Sequence, residues 1–284
     1  MRLPANPPIP PLNAAAILRQ YGLRADKQLG QNFLQDSSAL EKIAAAARIE
    51  KSDTVLEVGP GLGSLTRYLA AAARWVIAVE LDERLIPPLR DVLSPWQNVQ
   101  IVQGDILKIS PANLVGEADY LAIANIPYYI TSALLRHLLE SQPRPRRLVL
   151  TVQREVAERV CAAPGALSLL ALSVQVYGSP HIAARIPAGA FYPVPKVDSA
   201  VLCVEVAPQP LIAAPLLEMF FRLIKAAFSQ RRKTLRNSLA AGLGMSPAHV
   251  AELLLSAGID PQRRAETLEL DEWRHLCESL EGRI

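Results

Sequence analysis

Cysteine is scarce in this 284-residue chain, and its three copies, Cys161, Cys203 and Cys277, stand far apart. No CxxC pair occurs and the count is odd, so neither a disulfide framework nor a zinc site is expected. The four histidines, His137, His181, His249 and His275, are scattered too. His275 and Cys277 are two positions apart, which on a helix turns them to different sides, so no metal is expected. A long apolar run is also missing. The most apolar stretch, Ala166–Tyr177, is too short to cross a bilayer and contains Ser168, Ser173 and Gln175. Met1–Leu12 holds five prolines and lacks the apolar core of a secretory signal. The expectation is a soluble, cytoplasmic protein without a membrane partner, with a flexible arm over residues 1–12.

What the chain does have is apolar bulk. Half of its residues are hydrophobic, enough for one large domain with a smaller satellite. The net charge of +3 points only weakly to a polyanionic partner unless it is clustered. Short apolar strands are expected at Thr54–Val58, Trp75–Val79, Val99–Val102, Tyr120–Ala124 and Arg147–Val152, with helical stretches between them. This βαβα alternation predicts an α/β fold with a parallel, doubly wound sheet. Each strand runs into a glycine or polar end, at Gly59, Glu80, Gly104-Asp105, Asn125 and Gln153-Arg154-Glu155. In such sheets the ligand crevice lies outside those carboxyl ends. A further strand is expected at Ala200–Val206. Ala207–Pro215, with three prolines, reads as a linker, and Leu216–Ile284 is helical in pattern. The division expected is a first domain over residues 1–207 and a small helical domain over 208–284.

Thr54–Val58 enters Gly59-Pro60-Gly61-Leu62-Gly63 directly, and a helix follows from about Ser64. Strand, glycine turn and helix form the context of a nucleotide-type site, because glycines let a backbone approach a ligand closely. A dinucleotide fingerprint would carry glycine or alanine where this chain has Ser64. Glu57 sits inside the motif, and E-x-G-x-G-x-G suits S-adenosylmethionine better. That ligand lacks a pyrophosphate and carries a cationic amine and a sulfonium, which an acidic surrounding favours. Glu57, Gly59 and Gly61 are therefore candidate cofactor residues. Glu80 can accept hydrogen bonds from both ribose hydroxyls, at about 1.5–3 kcal/mol for each charged hydrogen bond. Asp105 can accept from an adenine amine. Each acid alone is an ordinary solvated strand end; three beside a glycine turn indicate a nucleoside-like cofactor.

Asn125-Ile126-Pro127-Tyr128 is the second chemical signal. Pro127 lacks an N–H and suits a turn rather than a continuing strand. Taken alone the tetrapeptide fits a capped strand-to-helix turn as well as a site. Beside a nucleoside cofactor it acquires a chemical role. Adenine N6 is a poor nucleophile because its lone pair is delocalised into the ring. Two fixed oxygens, Asn125 Oδ1 and the backbone carbonyl of Ile126 or Pro127, can accept both N6 hydrogens and stabilise the charge that develops. Tyr128 would stack on the base, and Phe191, in the proline-stiffened loop Phe191–Ser199, would close a sandwich worth roughly 1–3 kcal/mol per stacked base. The reacting base must leave its own stack first.

No Asp or Glu occurs from Met219 through Val250, while Arg222, Lys225, Arg231, Arg232, Lys233 and Arg236 fall within 15 residues. Phe220, Ile224, Ala227 and Phe228 share one helical face, so the cations point outward together. Solvated charged faces usually mix signs; this one is expected to contact nucleic acid phosphates. Arg144, Arg146 and Arg147 are candidates for a second basic edge. Lys27–Leu34, taken alone, is the entry to a helix over Asp36–Ala47 with Asp36 or Ser37 as N-cap.

Together these stretches resemble the ribosomal RNA adenine N6,N6-dimethyltransferases. The resemblance rests on GQNFL at Gly30–Leu34, VLEVGPGLGSLT at Val55–Thr66, Glu80, Gly104-Asp105 and NIPYYI at Asn125–Ile130. It continues through QREVAERV at Gln153–Val160, FYPVPKVDSAV at Phe191–Val201 and FSQRRKTLRNSL at Phe228–Leu239. It implies a Rossmann-like S-adenosylmethionine-dependent methyltransferase fold with a small α-helical C-terminal domain. The implied reaction dimethylates two adjacent adenines in a hairpin loop near the 3′ end of 16S rRNA, during small-subunit biogenesis. By position, cofactor contacts are implied at Asn32, Leu34, Gly59, Glu80, Asp105 and Asn125, so that Gln31–Leu34 closes over the cofactor. A sister branch, the 23S rRNA adenine N6-methyltransferases of macrolide resistance, shares the glycine turn and NIPY, but Phe228–Leu239 resembles the small-subunit branch. Two further alternatives are an assembly factor that acts mainly by binding and a nicotinamide oxidoreductase. Against the first stands the intact Asn125–Tyr128 corner; against the second stand Ser64 and the basic segment. After Val160 the chain reads CAAPGALSLL, shorter than the basic and aromatic piece usual in the family, which puts RNA contacts from that loop in doubt. Nothing demands more than a monomer.

Overall fold

Central strands of an α/β sheet with helices on both faces are buried on both sides and therefore read as continuous apolar runs. A computed structural model describes residues 9–117, 119–230 and 232–280, and such runs form the middle of its main sheet. The strands are β1 (Phe33–Leu34), β2 (Thr54–Val58), β3 (Trp75–Glu80), β4 (Val99–Gln103), β5 (Tyr120–Asn125), β6 (Arg147–Gln153), β7 (Gly178–Ile186), β8 (Phe191–Tyr192) and β9 (Ser199–Val206). Seven of them form one sheet in the order β4-β3-β2-β5-β6-β9-β7, while β1 and β8 pair separately. Strands β2, β3, β4, β5 and β6 run parallel to their neighbours among these five. The order reverses between β2 and β5, so the crevice of a doubly wound sheet opens at their carboxyl ends. There the glycine turn faces Asn125.

The sheet is not wholly parallel. Strand β9 runs antiparallel to β6, with Ser199 opposite Gln153 and Glu205 opposite Arg147. It starts beside the carboxyl end of β6 because β8, just upstream, is tied to β1 by antiparallel pairing. This inserted strand separates the sheet from the dinucleotide-binding order 3-2-1-4-5-6. Strand β7 carries no plain sequence signal. It holds Pro180, and its exposure alternates along its length as at an edge.

The chain divides into two compact units, Met1–Ala157 with His181–Val206, and Glu158–Pro180 with Ala207–Ile284. In the first, helix Ser37–Ala47 starts at Asp36, whose side chain accepts the Ala39 N–H at 2.8 Å. Residues 1–8 of the expected arm lie outside the described residues. Residues 9–12 are not free: Leu12 is buried beside Leu18, Phe33 and Leu62, and Pro10 accepts a hydrogen bond from Arg67 Nη1 at 2.8 Å.

The second unit is helical, around Leu217–Phe228, Leu235–Leu243, Pro247–Ser256 and Leu270–Leu280, with Phe220 and Trp273 fully buried. It takes in Glu158–Pro180, which a boundary at 207/208 assigns to the first domain. Hydrogen bonds explain this. Ala207 N and Leu211 N donate to Tyr177 O and Val176 O, at 2.8 Å each. Gly165 N and Leu167 N donate to Glu266 O, and Tyr177 stacks on Phe221. The short Cys161–Leu170 loop is thereby fastened to Glu266. No single helix among the described residues is long and apolar enough to cross a membrane. The bent pair Leu235–Leu243 and Pro247–Ser256 meets that length and composition only jointly, and buries Leu235, Leu239, Val250 and Leu254.

Candidate active site

All the candidate cofactor and catalytic side chains gather at one cavity of the first unit. Asn32, Leu34, Glu57, Gly59, Gly61, Glu80, Asp105, Asn125, Pro127, Tyr128 and Phe191 line it. Three N–H groups of the turn after β2 are already bonded within the protein. Gly59 N donates to Val79 O at 2.9 Å, Gly63 N to Pro60 O at 2.9 Å, and Gly61 N to Glu80 Oε2 at 2.9 Å. A phosphate cradle needs such N–H groups free. Gly61 N instead holds the Glu80 carboxylate, whose charge disfavours a phosphate beside this turn.

The acids supply acceptors instead. Glu80 is buried at the end of β3. Its Oε1 accepts the Asp82 N–H at 2.8 Å while Oε2 holds Gly61, so each oxygen keeps a lone pair for the cavity. Burial raises its pKa, against the two backbone N–H groups, which favour the anion. Glu57 is 1% exposed, and its Oε2 has no hydrogen-bond partner. Burial pushes its pKa up to about 8, with the Glu80 charge adding to the rise. The Thr66 hydroxyl opposes the rise without reaching hydrogen-bond geometry. A buried carboxyl with an orphaned oxygen in a cavity wall is costly on its own and suited to a cationic ligand group. Asp105, after β4, caps the following turn through Leu107 N at 3.1 Å and meets Lys108 Nζ at 3.7 Å.

The segment from Asp26 to Leu34 spans both sides of the cavity. Gly61, at φ +58°, lies against Phe33; a Cβ there would come within 3.1 Å of that ring. Gly30, at φ +61°, lies against the corner after β5, where a Cβ would meet Pro127 Cβ at 3.1 Å. Gln31 fastens the segment. Its Oε1 accepts the Asp26 N–H at 2.8 Å and its Nε2 donates to Asp82 Oδ2 at 2.7 Å. Arg84 then bridges Asp82 and Asp26, which holds both carboxyls below their usual pKa. The pairing of β1 with β8 sets Leu34 opposite Phe191 and Phe33 opposite Tyr192. This stretch is thus a strap as well as the run-in to a helix.

At the corner, Asn125 Nδ2 donates to the Asn32 carbonyl at 3.3 Å. That bond fixes the amide and leaves Oδ1 as a free acceptor. The Pro127 carbonyl accepts Ile130 N at 3.2 Å, opening the next turn. Tyr128 is half-buried, and its hydroxyl meets Ser199 Oγ at 2.8 Å. Phe191 is 2% exposed and packs in the core with Leu34 and Val201 while its ring reaches the cavity wall. Gln31, Asp82, Arg84, Tyr129 and Ser199 escape sequence reasoning. Gln31, Tyr129 and Ser199 do lie in stretches that carry the family resemblance.

In the second unit, helix Leu217–Phe228 buries Phe220, Leu223, Ile224 and Ala227 and exposes Arg222 and Lys225. Arg232 and Lys233 are also exposed, and among the described residues these four cations form no ion pair. Arg236 is half-buried, with its Nε on Asn237 Oδ1 at 3.3 Å. Arg231 lies outside the described residues. The second basic edge is not free. Arg147 clasps Glu205 at 2.8 and 2.9 Å and donates to Ala47 O. Arg146 pairs with Asp53 and Asp119, and Arg144 donates to Leu139 O at 2.6 Å. These three cations hold the fold together. Among the described residues no group of three His, Cys, Asp or Glu could hold a metal ion.

The chain is similar to known proteins over most of its length. The family model for "Ribosomal RNA adenine dimethylase" matches residues 22–281. The chain is 48% identical over 271 residues to the ribosomal RNA small subunit methyltransferase A of Dehalococcoides mccartyi (strain CBDB1), covering 95% of this chain and 93% of the relative. Among solved structures it resembles a dimethyladenosine transferase from Plasmodium falciparum, at TM-score 0.76 and 25% identity over 88% of this chain and 98% of that one. It also resembles the 23S rRNA methyltransferase ErmE, at TM-score 0.71 and 30% identity over 88% of this chain and all of that one.

Proposed function

Because the chain belongs to the ribosomal RNA adenine dimethylase family, we propose that it dimethylates N6 of two adjacent adenosines in a hairpin loop near the 3′ end of 16S rRNA. Ribosomal RNA is its substrate and S-adenosyl-L-methionine its methyl donor. The finer assignments are cytoplasmic action, a monomeric enzyme, and the small subunit or its precursor as the particle modified. The observation that carries the reading is the hydrogen bond from Asn125 Nδ2 to Asn32 O, beside the acceptor-rich end of β3. It occupies Nδ2 and leaves Oδ1 to accept from a base amine.

The residues divide the work. Glu80 would hold the donor's ribose hydroxyls, Asp105 its adenine amine, and Glu57 its ammonium. Gly59 and Gly61 would let it approach the backbone, under a strap that includes Asn32 and Leu34. When bound, S-adenosyl-L-methionine supplies an electrophilic methyl group. Asn125 Oδ1 accepts one N6 hydrogen of the target. The Ile126 carbonyl, or the second lone pair of the Pro127 carbonyl that serves Ile130, accepts the other. The two acceptors stabilise positive charge as the nitrogen becomes tetrahedral, and fixing N6 in line supplies much of the rate. Pro127 keeps the corner from continuing as a strand. Tyr128, anchored by Ser199, stacks on one face of the base and Phe191 borders the other. Arg222, Lys225, Arg231, Arg232, Lys233 and Arg236 contact RNA phosphates.

The relatives named as small-subunit enzymes favour this reading over a 23S target. Labelled methyl transfer to unmethylated small subunits, with mapping of the modified bases, tests it. Two adjacent dimethyladenosines near the 3′ end of 16S rRNA are expected; label confined to 23S rRNA, or absent from rRNA, would refute it.

A further inference from the structure

Tyr129 is not used by the reaction as described, yet it stands at the cavity. It is 61% exposed, and it lines the cavity next to Tyr128. One side of its ring is backed by the strap: a Cβ at Gly30 would stand 3.5 Å from both Cδ1 and Cε1. Positive φ at Gly30, and Pro127 Cβ 3.1 Å from that same Cβ position, keep the place free of a side chain. The Cδ1–Cε1 edge of the ring thus lies beside the bare Gly30 backbone, while most of the side chain meets solvent. An aromatic ring held open at the rim of a base pocket is a stacking surface.

The substrate supplies an occupant. A reacting adenosine must leave its stack to enter the cavity. The base beside it then loses a stacking partner within one nucleotide of the rim. We propose that Tyr129 is a platform for the purine flanking the reacting adenosine, so that the two adjacent adenosines take turns between platform and cavity. This rests on the adenosine-pair reading above. The interaction is with the π-face, so Phe can replace Tyr here and Leu cannot.

The test uses the full chain and unmethylated small subunits, either with the natural adenosine pair or with one member of the pair replaced by uridine. Tyr129→Leu should raise the KM for natural subunits about fivefold or more, and Tyr129→Phe should stay within about twofold of the parent. Uridine, a weaker stacker, should raise the KM of the parent protein but leave that of Tyr129→Leu unchanged, because the partner is already gone. Donor affinity should be the same in all three proteins. Equal KM values for the parent and Tyr129→Leu on natural subunits would overturn the platform. So would additive effects of the two replacements, since these would mean that the ring only shapes the corner. A parent protein that methylates no subunit at all would instead refute the reaction on which the proposal rests.

Discussion

At the ends of β2 and β3 the glycine turn ties up three of its own N–H groups on Val79, Pro60 and Glu80, all between Gly59 and Glu80. At the end of β5 the corner is held from far away, by Asn32, 93 residues upstream, and by Ser199, 71 residues downstream of Tyr128. The side proposed for the donor is local and rich in acceptors; the side proposed for the target is assembled from three distant stretches and rich in aromatic rings. The difference suits the ligands. A small donor needs a pocket that is complete in itself. A base drawn out of a large RNA needs a surface whose parts are set by the whole fold. The strap joins the two, touching Gly61 through Phe33 and Pro127 through Gly30.

If the two sides are distinct, variants should separate rate from affinity. The largest effect is expected at Asn125→Ala, where transfer in a single-turnover assay should fall about 10²–10³-fold, as when one charge-stabilising group is removed elsewhere. Next, Glu80→Gln should weaken donor binding about 10- to 100-fold by calorimetry, since it exchanges charged for neutral hydrogen bonds to ribose. It also turns the amide nitrogen toward the N–H of Gly61 or Asp82, which loses its acceptor, and this adds to the loss. A smaller effect is expected outside the first unit. Arg232→Ala with Lys233→Ala should weaken rRNA binding and lower the slope of log K against log salt by about one for each phosphate no longer neutralised. An unchanged slope would move the RNA-binding surface elsewhere.

The smallest effect concerns Glu57 without its ligand. Its folded pKa of about 8 lies above the usual 4.5, so the folded state binds its proton more tightly than the unfolded state. The stability it contributes is full below pH 4.5 and is lost as pH rises through about 8. Unfolding melts of the free protein should show that decline, at most about 1.4 kcal/mol per pH unit, and Glu57→Gln should flatten it. A decline unchanged in the variant would mean that the buried acid elsewhere on this side, Glu80, carries it.

Legibility in the sequence followed the same divide. The donor side was readable because its signals are contiguous: Glu57 and the glycines in one turn, Glu80 and Asp105 at strand ends of an alternating pattern. The corner was readable because Asn125-Ile126-Pro127-Tyr128 breaks an apolar strand abruptly. What held the corner was not. Strands of two residues, such as Phe33–Leu34 and Phe191–Tyr192, have no periodicity to detect, and the pairs Gln31–Asp82 and Tyr128–Ser199 leave no local trace. Arg146 and Arg147 misled because a basic run looks the same whether its partners are phosphates or Asp53, Asp119 and Glu205. Glu158–Pro180 misled because nothing near it announces its hydrogen bonds to Ala207, Leu211 and Glu266.

The most direct test measures donor affinity and single-turnover methyl transfer on Asn125→Ala and Glu80→Gln side by side, at saturating donor for the rate. The account predicts that the two variants cross: Asn125→Ala keeps donor affinity within about threefold while losing at least about a hundredfold in rate, and Glu80→Gln loses affinity while its rate at saturation stays within about tenfold. Variants that lose rate and affinity in step, or an Asn125→Ala protein that transfers methyl at the parent rate, would contradict it.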